Sequence, residues 1–231
     1  LKAPRSKQPE VPGQPRGWPC RLGAMKAALA QLLLAIAGWA SAAAGESPPP
    51  VPELKLEAYL GRWYQTYASR TVIYTMELGG SCVTADYGAV ANRSGVVSVA
   101  NTVYPFGKQV RVAGYAVPKP SAVGEFEVSL GPFADPTKPK AYSSTNYVVV
   151  GLGPMVSGKY DYALVTDPSQ LSLYVLARDA ARFRAEHAES VLRQLEDLGF
   201  TSWLNKPIET NQDGCSYAPA PEPQPLKRVF V

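Results

Sequence analysis

The sequence predicts an all-β protein, an eight-stranded up-and-down antiparallel barrel with one C-terminal helix on its wall, and three observations carry that expectation. Short segments rich in Val, Tyr and Thr recur about every dozen residues between Gly61 and Arg178, punctuated by Gly, Pro, Asn and Asp. Eight such segments are enough for a sheet to close around one small ligand. A single amphipathic stripe follows the last of them, and one helix among so many strands has to cover the outside of the sheet.

Residues 1–24 are rich in Pro, Arg and Lys and are expected to carry no fold; they read as leader or as the basic half of a bipartite organelle-targeting signal. Residues 25–44 have the layout of a secretory signal peptide: Lys26, an apolar run from Ala27 to Trp39, and an Ala-x-Ala cut site at Ala42 to Ala44. An uncut membrane anchor is the alternative, although the apolar run is short for a span. These segments predict a secreted protein, with an organelle lumen as the other destination.

Residues 1–44 hold Lys2, Arg5, Lys7, Arg16, Arg21 and Lys26 against Glu10 alone, a balance of +5 against +4 for the whole chain, so the remainder is close to neutral. Nucleic acid is not an expected partner, because phosphate binding needs a basic stripe on the folded part. Cleavage after the signal removes Cys20 and leaves Cys82 and Cys215, an even pair in an oxidising compartment, which reads as a disulfide. Two free buried thiols are the alternative.

Residues 45–53 form a Pro-rich spacer, and Leu54 to Leu60 have helical spacing. Strands are expected near 61–69, 82–90, 96–104, 109–117, 124–130, 146–152, 160–166 and 172–178. Hairpin turns fall at Asn92 to Gly95, Pro105 to Gly107, Pro118 to Gly124 and Asp167 to Ser169, with a longer loop from Gly131 to Lys140. Phe183, Ala188, Val191, Leu192, Leu195 and Leu198 then share one helical stripe, and Gly199 stops it. The folded domain is set at 54–215, followed by a Pro-rich tail at 216–231 expected to be disordered.

Gly61-Arg62-Trp63-Tyr64, preceded by Glu57-Ala58-Tyr59-Leu60, resembles the first motif of the lipocalin family. The resemblance implies that Trp63 plugs the closed end of the barrel and that Arg178, ending Tyr174-Val175-Leu176-Ala177-Arg178, packs across its indole. The branch most similar contains apolipoprotein D and the bacterial outer-membrane lipocalins, on LGRWY, the Cys82 and Cys215 pair, Tyr162 to Val165, LAR ending at Arg178, and a helix closing on Leu198-Gly199-Phe200. One departure is plain: the family's Thr-Asp-Tyr motif is here Ser157-Gly158-Lys159-Tyr160.

If Trp63 points inward, alternation sends Gln65 and Tyr67 inside and Tyr64, Thr66 and Ala68 outside. With the family pattern as guide, Ala85, Tyr87, Val97, Val99, Asn101, Val112, Gly114, Ala116, Phe126, Val128, Tyr147, Val149, Ala163, Val165, Tyr174 and Leu176 also face in. The expected ligand-binding set is Tyr67, Tyr74, Ala85, Tyr87, Val99, Asn101, Val112, Gly114, Phe126, Val128, Tyr147 and Tyr174. The partner implied is a small hydrophobic ligand (lipid, sterol, retinoid, bilin or carotenoid), with tyrosine faces suiting a molecule that has one polar group. A solid core is the alternative. The loop at residues 70–81 carries Ile73, Tyr74, Met76 and Leu78, which are suited to closing over a ligand or touching a membrane.

No catalytic residue, metal site or cofactor is expected. The chain has a single histidine, His187, read as a surface residue of the helix; it has no Gly-x-Ser-x-Gly elbow and no metal-ligand spacing. Asp86 and Asp161 form no obvious pair. A lipocalin-type enzyme acting on lipid or carotenoid is the competing function, and a membrane-surface module a third. Asn92-Arg93-Ser94 is an acceptor for N-glycosylation at a hairpin tip.

Overall fold

Alternating β-branched and aromatic residues form the strands where they were expected, and turns at Gly and Pro return the chain to its neighbour each time. The computed structural model describes residues 47–220; the leader, the signal segment, Cys20 and the end of the Pro-rich tail lie outside the described residues. The strands are β1 (Gly61–Ser69), β2 (Thr84–Ala89), β3 (Val97–Val103), β4 (Val110–Pro118), β5 (Glu125–Leu130), β6 (Tyr147–Leu152), β7 (Tyr162–Thr166) and β8 (Leu173–Ala177). Each pairs antiparallel with the next, and β8 pairs back onto β1 with Tyr64 opposite Ala177 and Gln65 opposite Leu176. The sheet is therefore a closed eight-stranded antiparallel barrel, with no free edge among these strands.

A ninth strand of this sheet, β9 (Pro207–Glu209), has no counterpart among the strands expected from the sequence; it pairs with the end of β1. The β1–β2 ladder ends at Tyr64 and Thr84, and the C-terminal segment fills the splay beyond it. There Thr210 N donates to Thr66 O, Cys82 N donates to Asn211 O, and the Gln212 amide donates to the carbonyls of Gln65 and Val83. The Cys82–Cys215 disulfide, with Cα atoms 5.5 Å apart, ties this segment down. Tyr217, in the stretch expected to be disordered, packs edge-on against Tyr64 at 4.9 Å.

Among the described residues four α-helices accompany the strands: α1 (Leu56–Tyr59), α2 (Arg70–Thr75), α3 (Ala180–Glu186) and α4 (Ala188–Asp197). The expected single C-terminal helix is divided at His187, whose backbone leaves helical geometry. Asp179 caps α3 by accepting from Arg182 N. The stripe is as expected: Phe183, Ala188, Val191 and Leu195 are buried with Phe200 against the outward residues Leu164, Leu173, Val175 and Ala177.

Candidate functional site

The floor of the barrel is built around Trp63, which is fully buried. Arg178 lies over its indole, the guanidinium carbon 3.5 Å from the ring centroid. Five backbone carbonyls accept from the same guanidinium: those of Tyr160, Arg62, Ala58, Tyr59 and Leu60. The Trp63 indole N–H donates to Tyr59 O at 2.8 Å. Gly61 opens β1 at φ +104°, where a Cβ would stand 3.3 Å from the guanidinium; glycine is the residue that combines this backbone with that approach.

The segment Ser157-Gly158-Lys159-Tyr160 has a local consequence at the floor. Lys159, in a short hairpin over the floor, donates to the carbonyls of Glu57 and Leu60, and the Tyr160 hydroxyl accepts from Lys55 N. Asp161, one position on, is buried outside the barrel, bonded to Arg182 and to His187 Nε2. His187 is thus a half-buried partner of Asp161 at the joint between α3 and α4, not the surface residue expected. Its neighbours Glu186 and Glu189 suggested solvent; the break in the helix, which turned it inward, left no mark in the stripe. Asp86 is held on the outer wall by a two-pronged bond from Arg62, both contacts 2.8 Å.

Above the floor lies a cavity of about 780 Å³, within the range that holds a small organic ligand. Of the expected ligand-binding set, Ala85, Tyr87, Val99, Asn101, Val112, Phe126, Val128, Tyr147 and Tyr174 line it. Three do not.

Tyr67 lies on the outer face, its ring 6.4 Å from that of Phe183. The cause is a shift in the β1–β8 register between Gln65 and Tyr67: Gln65 pairs with inward Leu176, Tyr67 with outward Val175, and Ala68 with inward Tyr174. The extra residue reverses the alternation, so Ala68, expected outside, is instead fully buried on the inner side. Tyr74 is 56% exposed, because Ser69 caps Val72 N and turns the expected loop into α2, pointing Tyr74 to solvent. Gly114 keeps the inward register opposite Val99 but does not line the space: a Cβ there would meet the Ser129 carbonyl at 1.9 Å, so the glycine permits two strands to approach.

The cavity also takes in residues outside the expected ligand-binding set. Tyr59, on α1, joins Tyr147 and Tyr87 in a chain of hydroxyls, 2.6 Å from Tyr59 to Tyr147 and 3.1 Å from Tyr147 to Tyr87. Burial pushes all three phenols above their ordinary range, Tyr87 to about 12, so they are neutral hydrogen-bonding groups. The four-residue spacing to Trp63 marks Tyr59 in retrospect. Toward the mouth stand Gln65, Met76 and Glu77, with the Tyr174 hydroxyl donating to Met76 Sδ. Glu77 belongs to no strand or helix, and no periodicity announces it.

Among the described residues no group of three His, Cys, Asp or Glu side chains is placed to hold a metal ion. Asn92 is exposed in the β2–β3 turn at φ +61°.

A family model described as a lipocalin-like domain matches residues 54–209. Among solved structures, the chain is similar to the major allergen Per a 4 from cockroaches, at 15% identity and TM-score 0.43 over 72% of this chain and 95% of that one. It is similar to the siderocalin Ex-FABP, at 11% identity and TM-score 0.43 over 70% and 96%. A third is japanin from Rhipicephalus appendiculatus, solved bound to cholesterol, at 13% identity and TM-score 0.42 over 70% and 99%. Comparison with curated protein sequences gives no match. With the model spanning more than half of the sequence, this chain belongs to the family of lipocalin-like domains.

Proposed function

We propose that the protein binds and carries a small hydrophobic ligand inside the barrel, and that it does so without catalysing a reaction. The observation that supports this most is the cavity itself: an aliphatic wall from Val99, Val112, Val128 and Leu176 above a floor of neutral tyrosine hydroxyls. Such a space favours an apolar body by water exclusion and orients one polar group by hydrogen bonding. The proposed contact residues are the nine retained from the sequence, joined by Tyr59, Gln65, Met76 and Glu77. The branch proposed for the chain is that of apolipoprotein D and the bacterial outer-membrane lipocalins, on the motifs around Trp63 and Arg178. Secretion follows from the signal-like segment at 25–44 and fits a disulfide between Cys82 and Cys215, with 54–215 as the working domain and Asn92 as a glycan site.

The test is titration with the neutral probe N-phenyl-1-naphthylamine, whose emission rises in apolar surroundings. Saturation at about one probe per chain is expected, with competition by a fatty alcohol, a sterol or retinol. Ala116→Trp, which fills the cavity from β4, is expected to abolish it while far-ultraviolet circular dichroism stays unchanged. No response from the wild-type chain to any of these compounds overturns the carrier function.

A second role, docking of the mouth on a membrane, is favoured by where the exposed apolar side chains lie. Tyr74, Met76, Leu78, Phe106, Phe133 and Leu171 all stand on the mouth loops, with Phe133 98% and Phe106 82% exposed. Lys108, Arg111, Lys138 and Lys140 are exposed beside them and make no ion pair among the described residues. Apolar side chains ringed by free cations suit an anionic lipid surface. Flotation with phosphatidylserine-containing vesicles, lost in Phe106→Ser/Phe133→Ser, is the expected result; no flotation of the wild-type chain overturns this role.

A further inference from the structure

Resting on the carrier function, we propose that the cavity prefers a long-chain amphiphile with a protonated amine head, held at Glu77 below the mouth, over a carboxylate-headed lipid of the same length. The charges on the wall point that way. The lining includes the carboxylates of Glu77 and Asp167 and, among the described residues, no Lys, Arg or His. A ligand carboxylate therefore finds no counter-charge in the cavity, and it meets like charge across a medium that screens poorly.

The two carboxylates differ in what remains free. Asp167 is saturated: its oxygens accept from the amides and hydroxyls of both Ser169 and Ser172. Glu77 accepts at Oε2 from Gln65 Nε2 at 2.7 Å and makes no other side-chain hydrogen bond among the described residues. The same Gln65 nitrogen reaches Thr210 Oγ1 at 3.0 Å, which anchors the amide and through it the carboxylate. Elsewhere in the cavity lining Asn101 Oδ1 is buried with no hydrogen-bond partner among the described residues. An ammonium group carries donors and no acceptor, so it complements this set of acceptors and a carboxylate does not.

Arg178 is the cation buried nearest the floor, and it is not available to the ligand. Its guanidinium lies over Trp63 and its N–H groups are spent on five carbonyls. Burial holds the Glu77 carboxyl above the usual carboxylate range, as befits an acid waiting for a counter-charge.

The experiment is displacement of N-phenyl-1-naphthylamine from the full chain near pH 8, where a long-chain amine is largely protonated, by dodecylamine, dodecanol and dodecanoate below their micellar concentrations. Dodecylamine is expected to bind at least about tenfold more tightly than dodecanoate, with dodecanol between them. In Glu77→Gln the amine is expected to fall to within about twofold of dodecanol. Dodecanoate binding as tightly as the amine to the wild-type chain, or an amine preference that survives Glu77→Gln in a variant that still takes the probe, overturns the proposal and leaves the carrier function standing. Failure of the probe and all three competitors to bind overturns the carrier function instead.

Discussion

The Arg178 guanidinium sits 3.5 Å above the Trp63 indole and serves five backbone carbonyls from three segments: the entry helix and the start of β1, and the hairpin before β7. One side chain thereby replaces the water that those carbonyls would otherwise need at the sealed end of the barrel. Arg178→Ala is expected to cost about 3 to 5 kcal/mol in urea denaturation, from the lost stacking and the stranded acceptors. Arg178→Lys is expected to restore only a fraction, because an ammonium cannot reach five acceptors in a plane while lying flat on the ring. A loss below about 1 kcal/mol for Arg178→Ala would show that the floor is held by other contacts.

The Cys82–Cys215 bond closes a loop of 133 residues that spans nearly the whole barrel. Crosslinking so long a loop removes denatured-state entropy equivalent to about 3 to 5 kcal/mol. A paired Cys82→Ser/Cys215→Ser variant is expected to lose that amount and to expose the end of β1, where the C-terminal segment is fastened. Hydrogen exchange should then quicken first at the backbone amides of positions 82 and 210, which bond across that seam.

The register shift in β1 gives a direct test of which tyrosines face the ligand. Tyr67→Ala removes contact with Phe183 on the outer wall and is expected to cost about 1 to 2 kcal/mol, with probe affinity unchanged. Tyr87→Ala, inside, is expected to change probe affinity several-fold. Equal effects of the two variants on probe binding would contradict the inward and outward assignments.

These residues also show how far the sequence could be read. Period-two alternation and turn chemistry located all eight barrel strands to within about two residues, because burial on one face fixes both. The pairing of Trp63 with Arg178 was legible from the motif. The bulge was not, since an added residue leaves composition intact and shows only in the partner strand's register, and so Tyr67 and Ala68 exchange faces. β9, α2 and Glu77 were hidden for a related reason. Each owes its place to a tertiary neighbour (the open flank of β1, the Ser69 cap, the Gln65 amide) and not to a pattern along its own segment.

Glu77 links stability to pH in a direction opposite to that of a typical surface carboxylate. Burial raises its pKa above the ordinary glutamate value, and the Gln65 bond offsets this only in part. The groups facing it do not supply a positive charge. Tyr174, on β8, is held neutral by burial and by Glu77 itself. Burial works against the charge on Asp167, but the bonds from Ser169 and Ser172 outweigh it and hold that carboxyl below its usual range, hence ionised. Gln65 and Thr210 carry no charge. The folded state therefore binds the Glu77 proton more tightly than the unfolded chain does. The stability contributed by this group is full below the ordinary glutamate pKa and is lost as pH rises through the raised, folded value. Glu77→Gln abolishes this dependence, so the unliganded variant is expected to melt higher than wild type at neutral pH and no higher once pH falls below the glutamate range. Melting curves of both proteins from about pH 4 to pH 8 check the sign. A variant that melts lower than wild type at neutral pH would show that the Gln65–Glu77 bond stabilises the mouth by more than the buried charge costs.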